Sequence, residues 1–515
     1  MASRPEGGEH PLAGRWFARV GNSIVAVGGS PDQVFISARA SRTKEKIILS
    51  HIPRGENMPF PTILNQIGRI LENTPAVYLV GGAVRDALLG ETGSDLDLVV
   101  FSDAQTIARR LANELRADIY TLDTERQAYR LILRREEQGP LYIDITRGRG
   151  HSLDEDLAAR DFSINAIAVD IQMPQRLIDP LGGAQELAAK KLIACGPAAL
   201  RTDPVRCVRA ARLAAQLKLQ IEKETLEQIT SARIHLKDVS PERRRDEVMK
   251  GLLYEPAVFF RLLRMLGVAG ELSPALRLDA AAWEDRLARL RLLERLLALF
   301  KEKGSREQNI WSGVITAELG DCGQYLVEAA AQRLQQDRER RALWAAACLA
   351  GRELETLDTL AGDLVLTNSE RQVLDGAARG MGWLRKYTAS GQNLDRREIY
   401  RYFRTAGAGG LDGIVIWLVD AFLREDGHLV DAPPVAQLRV SRRLLEAWRM
   451  EQETIISPQP LIDGHDAQRL LGIAPGAELG RLLEALREEQ AVGVIKNRAE
   501  AEAWAREWWQ RERMG

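Results

Sequence analysis

Two aspartates one residue apart, placed just after a glycine pair, set the chemistry this chain can do. The segment Leu79-Val-Gly-Gly-Ala-Val-Arg-Asp-Ala-Leu-Leu-Gly90 runs straight into Ser94-Asp95-Leu-Asp97-Leu-Val-Val-Phe101. Gly81 and Gly82 let backbone N–H groups approach a phosphate with no Cβ in the way, and a following helix adds its positive end. On a strand, side chains i and i+2 share a face, so Asp95 and Asp97 present two carboxylates together. Hard oxygen ligands of that kind suit Mg²⁺, which combines one or two carboxylates with substrate phosphates. A phosphate cradle beside a divalent-metal site is equipment for nucleotidyl transfer.

The elements needed to position these groups can be read around them. Strands are expected at Val77–Val80, Leu96–Phe101, Arg130–Leu133 and Leu141–Ile145, with a helix at Ala104–Leu115 and another over residues 60–75. This alternation describes an α/β domain on one sheet. The last of those strands sets Asp144 among apolar residues, where a lone carboxylate is costly without a cation or donor. Asp144 is therefore a candidate third member of a catalytic set with Asp95 and Asp97, for two Mg²⁺ ions. Upstream, Ser23–Val27, Gln33–Ser37 and Lys46–Ser50 look like short strands of an N-terminal extension. Beyond about residue 196 apolar residues recur at i, i+3 and i+4 almost without interruption. Breaks fall near Ser240-Pro241, Ser273-Pro274 and Asp431–Pro434.

Two further segments supply polar groups. Arg160-Asp161 with Asn165 offers phosphate donors, a carboxylate for a ribose hydroxyl and an amide that can do either. Alone, the same segment also reads as an amphipathic helix with a salt bridge. Asp203-Pro204 reads as a helix N-cap and first turn, after which Arg206, Arg209 and Arg212 recur on one helical face. Such a stripe is usually solvated; three arginines without interleaved acids also make an anion site.

Composition narrows the class. The 515 residues are 45% hydrophobic and 28% charged, enough for several buried cores. Seventy-one basic residues stand against 72 acidic ones, so a nucleic-acid partner would need a local basic surface. Cys195, Cys207, Cys322 and Cys348 have neither zinc nor disulfide spacing and read as reduced thiols. No apolar run approaches membrane-span length and the first residues lack a signal-peptide core, so a cytoplasmic protein is expected.

Taken in order, Gly81-Gly82-x-x-Arg85-Asp86, Asp95-x-Asp97, Arg160-Asp161-Phe-Ser-x-Asn165, Asp179-Pro-x-Gly182-Gly183, Asp203-Pro-x-Arg206 and Glu242-Arg-Arg-Arg-Asp-Glu247 carry a resemblance. The chain closely resembles the class II tRNA nucleotidyltransferases (CCA-adding enzymes and their CC- and A-adding relatives) and the bacterial poly(A) polymerases, of the polymerase-β-like superfamily. That resemblance implies an α/β nucleotidyltransferase head with a single mixed sheet, then an all-α neck, body and tail. The expected bounds are 1–58 for a strand-rich extension, 59–195 for the head, 196–260 for the neck, 261–432 for the body and 433–515 for the tail.

The resemblance also implies roles. Asp95 and Asp97 would hold Mg²⁺; Gly81, Gly82, Arg85 and Arg209 would hold the triphosphate, with Arg212 near it. Asp161 would read the ribose 2′-hydroxyl beside Arg160 and Asn165, and Asp203 and Arg206 would meet the base edge of CTP or ATP. The partner would be the tRNA acceptor end. Thr202 stands where the family usually has an acid, and no histidine occurs between residues 236 and 427, so a phosphohydrolase-like body would lack a histidine metal site. The alternatives are a poly(A) polymerase, whose tail is usually more basic, and a non-catalytic RNA-binding relative. The segment Thr121–Arg130 falls where family members differ in a flexible loop.

Overall fold

The computed structural model describes residues 15–20, 23–28, 31–41, 48–52 and 63–514, apart from 92, 94, 136–138, 175–176, 302–309, 335–337, 352–353, 391–393 and 425–426. It divides into two compact units, Met1–Val239 and Ser240–Gly515. The division falls inside the stretch expected to form the neck. The expected flexible start at 1–13 lies outside the described residues.

The first unit opens with β1 (Arg15–Val20), β2 (Ser23–Gly28), α1 (Pro31–Ser41) and β3 (Ile48–Ile52), the strands forming a three-stranded antiparallel sheet in the order β2-β1-β3. Gln33–Ser37, read from sequence as a strand, is part of α1. Its β-branched residues suggested extension, but Val34 and Ala38, one helical turn apart, are both fully buried. Pro31 occupies the first turn, where its missing N–H costs nothing.

The main sheet follows. Its elements are α2 (Ile63–Ile70), β4 (Val77–Val80), α3 (Gly82–Leu88), β5 (Asp95–Val100), α4 (Ala104–Leu115), β6 (Asp118–Asp123), β7 (Ala128–Leu133), β8 (Leu141–Arg147), α5 (Leu153–Ala158), β9 (Ala168–Asp170) and β10 (Leu177–Ile178). Seven strands lie in the order β10-β9-β4-β5-β8-β7-β6. Only β5 and β8 pair in parallel; every other neighbouring pair is antiparallel, so the sheet is mixed. One face is apolar: Leu96, Leu98 and Val100 of β5, with Ile143 and Ile145 of β8 and Leu131 of β7, pack with residues of α2 and α4 into one core. Asp103 caps α4 by accepting from the N–H groups of Gln105 and Thr106, the usual service of an N-cap carboxylate. The period of two then turns Asp95, Asp97 and Asp144 to the opposite face.

The rest of the first unit is α6 (Gly183–Ala188), β11 (Lys191–Leu192), α7 (Ala199–Thr202), α8 (Arg206–Leu217), β12 (Gln220–Ile221) and α9 (Lys223–Ala232). Asp203 does not cap α8 as the sequence suggested. It ends α7 at φ -148° and ψ 88°, an extended conformation that a residue before proline favours. Its carbonyl accepts from the Arg206 N–H at 3.0 Å.

Among its described residues the second unit is helical apart from a two-residue strand pair, Arg333–Leu334 with Arg338–Glu339, and an isolated bridge between Leu423 and Leu429. Asp431–Pro434 breaks the helical run and leads into the helix Val435–Met450, which packs on Gly410–Ala421. Toward the end, Gly464–Leu471, Ala477–Val492 and Arg498–Met514 enclose a small core of Ile462, Leu479, Leu482, Leu486, Ile495 and Ala505. Trp504 and Trp508 pack, partly buried, against it.

Candidate active site

The open face of the main sheet carries the carboxylates in register. Asp97 lies opposite Asp144 across the parallel β5–β8 pair, and Asp95 lies opposite Tyr142. Asp144 lies opposite Arg130 across β8–β7. The Arg130 guanidinium forks onto it with Nε and Nη2, both at 2.7 Å from a carboxylate oxygen, the strong two-point geometry of an arginine–carboxylate pair. That fork raises the pKa of Arg130. Asp144 therefore sits beside Asp97 but is held by Arg130. The register thus places Asp144 in one row with Asp97, and among the described residues no group of three His, Cys, Asp or Glu side chains is arranged to hold a metal ion.

Asp97 is the strained member of the row. Burial, reinforced by the negative charges of Asp144 and Asp95 and opposed by Arg160 and Arg130, pushes its pKa up to about 6, because a charge out of water and beside like charges is disfavoured. Gly81 explains why the neighbouring turn needs glycine. It caps α3 at φ 77°, a backbone region that glycine enters without steric cost. A Cβ there would come within 3.1 Å of the Asp97 carboxylate and 3.4 Å of the Arg160 guanidinium. Crowded, undercompensated carboxylates beside a turn with no side chain form a donor set that fits a hard divalent cation.

A second network lies on the segment after α5, where Ser152 caps the helix and three acids fill its first turn, complementing its unpaired N–H groups. Arg160 reaches back to Asp156, at 2.9 and 3.1 Å. Asp161, buried, accepts from the Phe162 N–H at 2.7 Å, from Asn165 Nδ2 at 3.1 Å and from Arg209 Nη1 at 3.0 Å. Burial alone would raise its pKa, but Arg209 and these donors hold it below the usual carboxylate range; bonding to the charged form outweighs desolvation here. Asn165 in turn accepts from Arg85 Nη1 at 2.7 Å, and Arg85 also binds Asp86 at 2.8 Å. The chain Asp86–Arg85–Asn165–Asp161–Arg209 thus ties α3, the 161–165 turn and α8 together.

The arginine stripe of α8 does not act as one anion site. Arg206 is buried, its Nη1 donating to the carbonyls of Arg160 and Ala199 at 3.0 Å and its Nη2 to that of Ala159 at 3.1 Å. Arg209 turns to Asp161 and Arg212 to Gln216 at 3.4 Å. Arg206 thereby fixes the backbone that carries Arg160 and Asp161, and Asp203 lies 3.7 Å from its Nε. Thr202 donates its hydroxyl to the Ala199 carbonyl at 2.9 Å. Asp179 of the Asp-Pro-x-Gly-Gly segment accepts from the Gly183 and Ala184 N–H groups at 2.8 and 2.9 Å, starting α6.

Arg130 is the residue that sequence reasoning passed over. Its only local signal is a charge inside an apolar strand, and its partner becomes visible only through the register of β7 against β8.

With this geometry in place, comparison with known proteins is decisive. Residues 77–193 match the family model of the Poly A polymerase head domain, and residues 218–278 match a probable RNA- and SrmB-binding site of polymerase A. Over these residues the chain is similar to the tRNA nucleotidyltransferases and poly(A) polymerases. A CC-adding tRNA nucleotidyltransferase of Geobacter sulfurreducens is 28% identical over 87% of this chain and 94% of its own length. An A-adding tRNA nucleotidyltransferase of Deinococcus radiodurans is 27% identical over 84% and 96%. Among solved structures, the apo form of a CCA-adding enzyme covers 85% of this chain and 92% of its own, with a TM-score of 0.55 at 18% identity. A Thermotoga maritima CCA-adding enzyme complexed with tRNA covers 86% and 94%, with a TM-score of 0.51 at 20% identity. These structural likenesses show the fold, a mixed-sheet head followed by a helical body. The head-domain match spans every sequence motif from Gly81 to Gly183. No helix among the described residues is long and apolar enough to cross a membrane.

Proposed function

We propose that this protein transfers CMP, AMP or both from CTP and ATP to the 3′ end of tRNA without a template, releasing pyrophosphate. The observation that carries the reading is the juxtaposition of Asp95 and Asp97 with the Gly81 turn, beside the network that joins Arg85, Asn165, Asp161 and Arg209. Relatives matching over more than four-fifths of the chain bear names with that activity, CC-adding or A-adding.

In this reading the 3′-hydroxyl oxygen of the RNA attacks the α-phosphorus, and the bond to pyrophosphate breaks in line. Asp95 and Asp97 would hold Mg²⁺, which would supply positive charge to offset the negative charge developing in the transfer. The N–H groups after Gly81 and the guanidinium of Arg160 face the triphosphate. Asp161 orients Arg209 and Asn165 at the sugar, and Asp203 accepts from the exocyclic amine shared by cytosine and adenine. Arg206 serves this step by holding the backbone of residues 159–160. The helices after residue 196 serve as neck, body and tail for the tRNA acceptor end, and the protein works in the cytoplasm.

The test supplies purified protein and Mg²⁺ with labelled CTP or ATP and three tRNA transcripts, ending at the discriminator base, after CC, and after CCA. Incorporation that stops at CC or at CCA supports the reading and states which nucleotides are added. A long A-tail would replace it with poly(A) polymerase activity, and no incorporation would leave an RNA binder.

A further inference from the structure

The row that begins with the carboxylates does not end at Arg130. Arg130 lies opposite Tyr120 of β6, so Asp97, Asp144, Arg130 and Tyr120 occupy one line across β5, β8, β7 and β6. Residues directly opposite one another in a sheet share a face. The Arg130 guanidinium also stands over the Tyr142 ring, 5.4 Å from its centre, a cation–π contact that makes Tyr142 its floor. On β4 and at the Val99 end of β5, beyond the carboxylates, the same face is covered, because Val99, Val80 and Ala168 pack with Leu157 and Ala166. At β7 and β6 it is open. Tyr120 is 50% exposed on the terminal strand of the sheet, and the Arg130 side chain is 38% exposed.

We propose that this open half of the face, Tyr142–Arg130–Tyr120, binds the last two nucleotides of the acceptor RNA. The inference rests on the acceptor-RNA reading above and adds residues to it. A single-stranded 3′ end needs a π-surface for a base and a cation for a backbone phosphate, and this half of the face provides one of each. Arg130 spends Nε and Nη2 on Asp144; Nη1 takes no part in that fork. The reach also fits. Neighbouring strands are about 4.8 Å apart, which puts Tyr120 about 14 Å from Asp97, the span of a terminal nucleotide whose hydroxyl lies at the carboxylates plus the one before it. Arg130 falls between the two, where the linking phosphate would lie. Binding a base at Tyr120 reads no Watson–Crick edge, so the platform accepts an end in C or A alike.

The test uses the full chain in two measurements. In the first, Tyr120→Ala is expected to raise the KM for a tRNA ending in CC or in the discriminator base, by roughly 5- to 140-fold if one stacked base is lost. The KM for CTP should stay at its parental value, and Tyr120→Phe should restore acceptor binding, because the ring and not the hydroxyl carries the contact. In the second, a tRNA with 5-bromocytidine at its last position is irradiated in the complex, and the crosslinked peptide is mapped. Attachment within residues 118–133 or at Tyr142 supports the inference. An acceptor KM within about twofold of the parent, or crosslinks confined to other peptides, overturns it. Should the parent incorporate no nucleotide at all, the proposed function fails, and the crosslink still decides whether this face binds RNA.

Discussion

The open sheet face of the first unit and the helical interior of the second both gather buried charge, and they treat it in opposite ways. In the second unit Arg289, fully buried on the helix Ala280–Lys301, donates to Asp285 at 2.8 Å and to Asp420. Asp285 also takes Arg286 at 2.5 Å, and Asp420 takes Arg385 at 2.6 Å. Burial alone would raise Asp285, but the two arginines hold it below the usual range. Each acid of that cluster is overmatched by cations. On the sheet face the excess is reversed. Asp95, Asp97 and Asp144 crowd together with Arg130 committed to one of them, and Asp97 is pushed up to about 6. A cluster with an excess of cations holds helices together, whereas one with an excess of acids is suited to a ligand of the opposite sign.

The sharpest way to break this comparison is to remove one group from each side. Asp97→Asn should cut nucleotide incorporation on the order of 10³-fold or more, several kcal/mol of transition-state stabilisation. Its denaturation midpoint should hold or rise, since the change removes like-charge repulsion. Incorporation near the parental rate would remove Asp97 from the metal site. Arg289→Ala should do the reverse. It leaves Asp285 with Arg286 alone and Asp420 with Arg385 alone and empties a fully buried side-chain position, a loss on the order of 3 kcal/mol in a denaturant titration. At a temperature where the variant stays folded, the KM for CTP should match the parent. A midpoint unchanged by this substitution would mean that the buried cluster contributes little to the second unit.

How far the sequence revealed these two regions depends on how local each signal is. The pairing of Asp95 with Asp97 needs only strand parity, and β4, β5 and α4 follow from apolar period, a glycine turn and an Asp N-cap. Strand β6 was missed because Asp118–Leu122 is exposed along its whole length, which erases alternation. Strand β9 was missed because only Ala168 and Val169 of its three residues are apolar, and they merely end the short run Ala166–Val169. In α1, Val34, Phe35 and Ile36 favour extension locally and are overruled by packing. The Arg130–Asp144 fork, the commitment of Arg206 to three carbonyls and the pairing of Arg289 with Asp420 all join residues brought together by the fold. No spacing rule encodes them; register and helix packing do.

The smallest expected effect sharpens the comparison within the first unit, at the back of the Asp161–Asn165 turn. The Ser163 hydroxyl contacts both the Glu186 carboxyl and the Ile193 carbonyl, the latter at 3.3 Å. One hydroxyl hydrogen cannot serve both acceptors, so both contacts are satisfied together only when Glu186 carries a proton and donates to Ser163 Oγ. The electrostatics agree: burial, with Asp179 and Glu222 adding and Ser163 and Lys191 opposing, pushes Glu186 up to about 7 from 4.5, the direction expected of a carboxyl taken out of water. Because the folded value is the higher one, the native state binds more protons than the unfolded chain between those two values. The contribution of Glu186 to stability is therefore greatest below about pH 4.5 and declines as pH rises toward about 7. Glu186→Gln keeps a donor at that position and removes the titration. Denaturant midpoints measured from about pH 5 to about pH 8 should fall less steeply in the variant than in the parent, most visibly between about pH 5 and about pH 7. Parallel curves would mean that Glu186 is ionised in the folded protein and that Ser163 donates to it alone, leaving the Ile193 carbonyl to another donor.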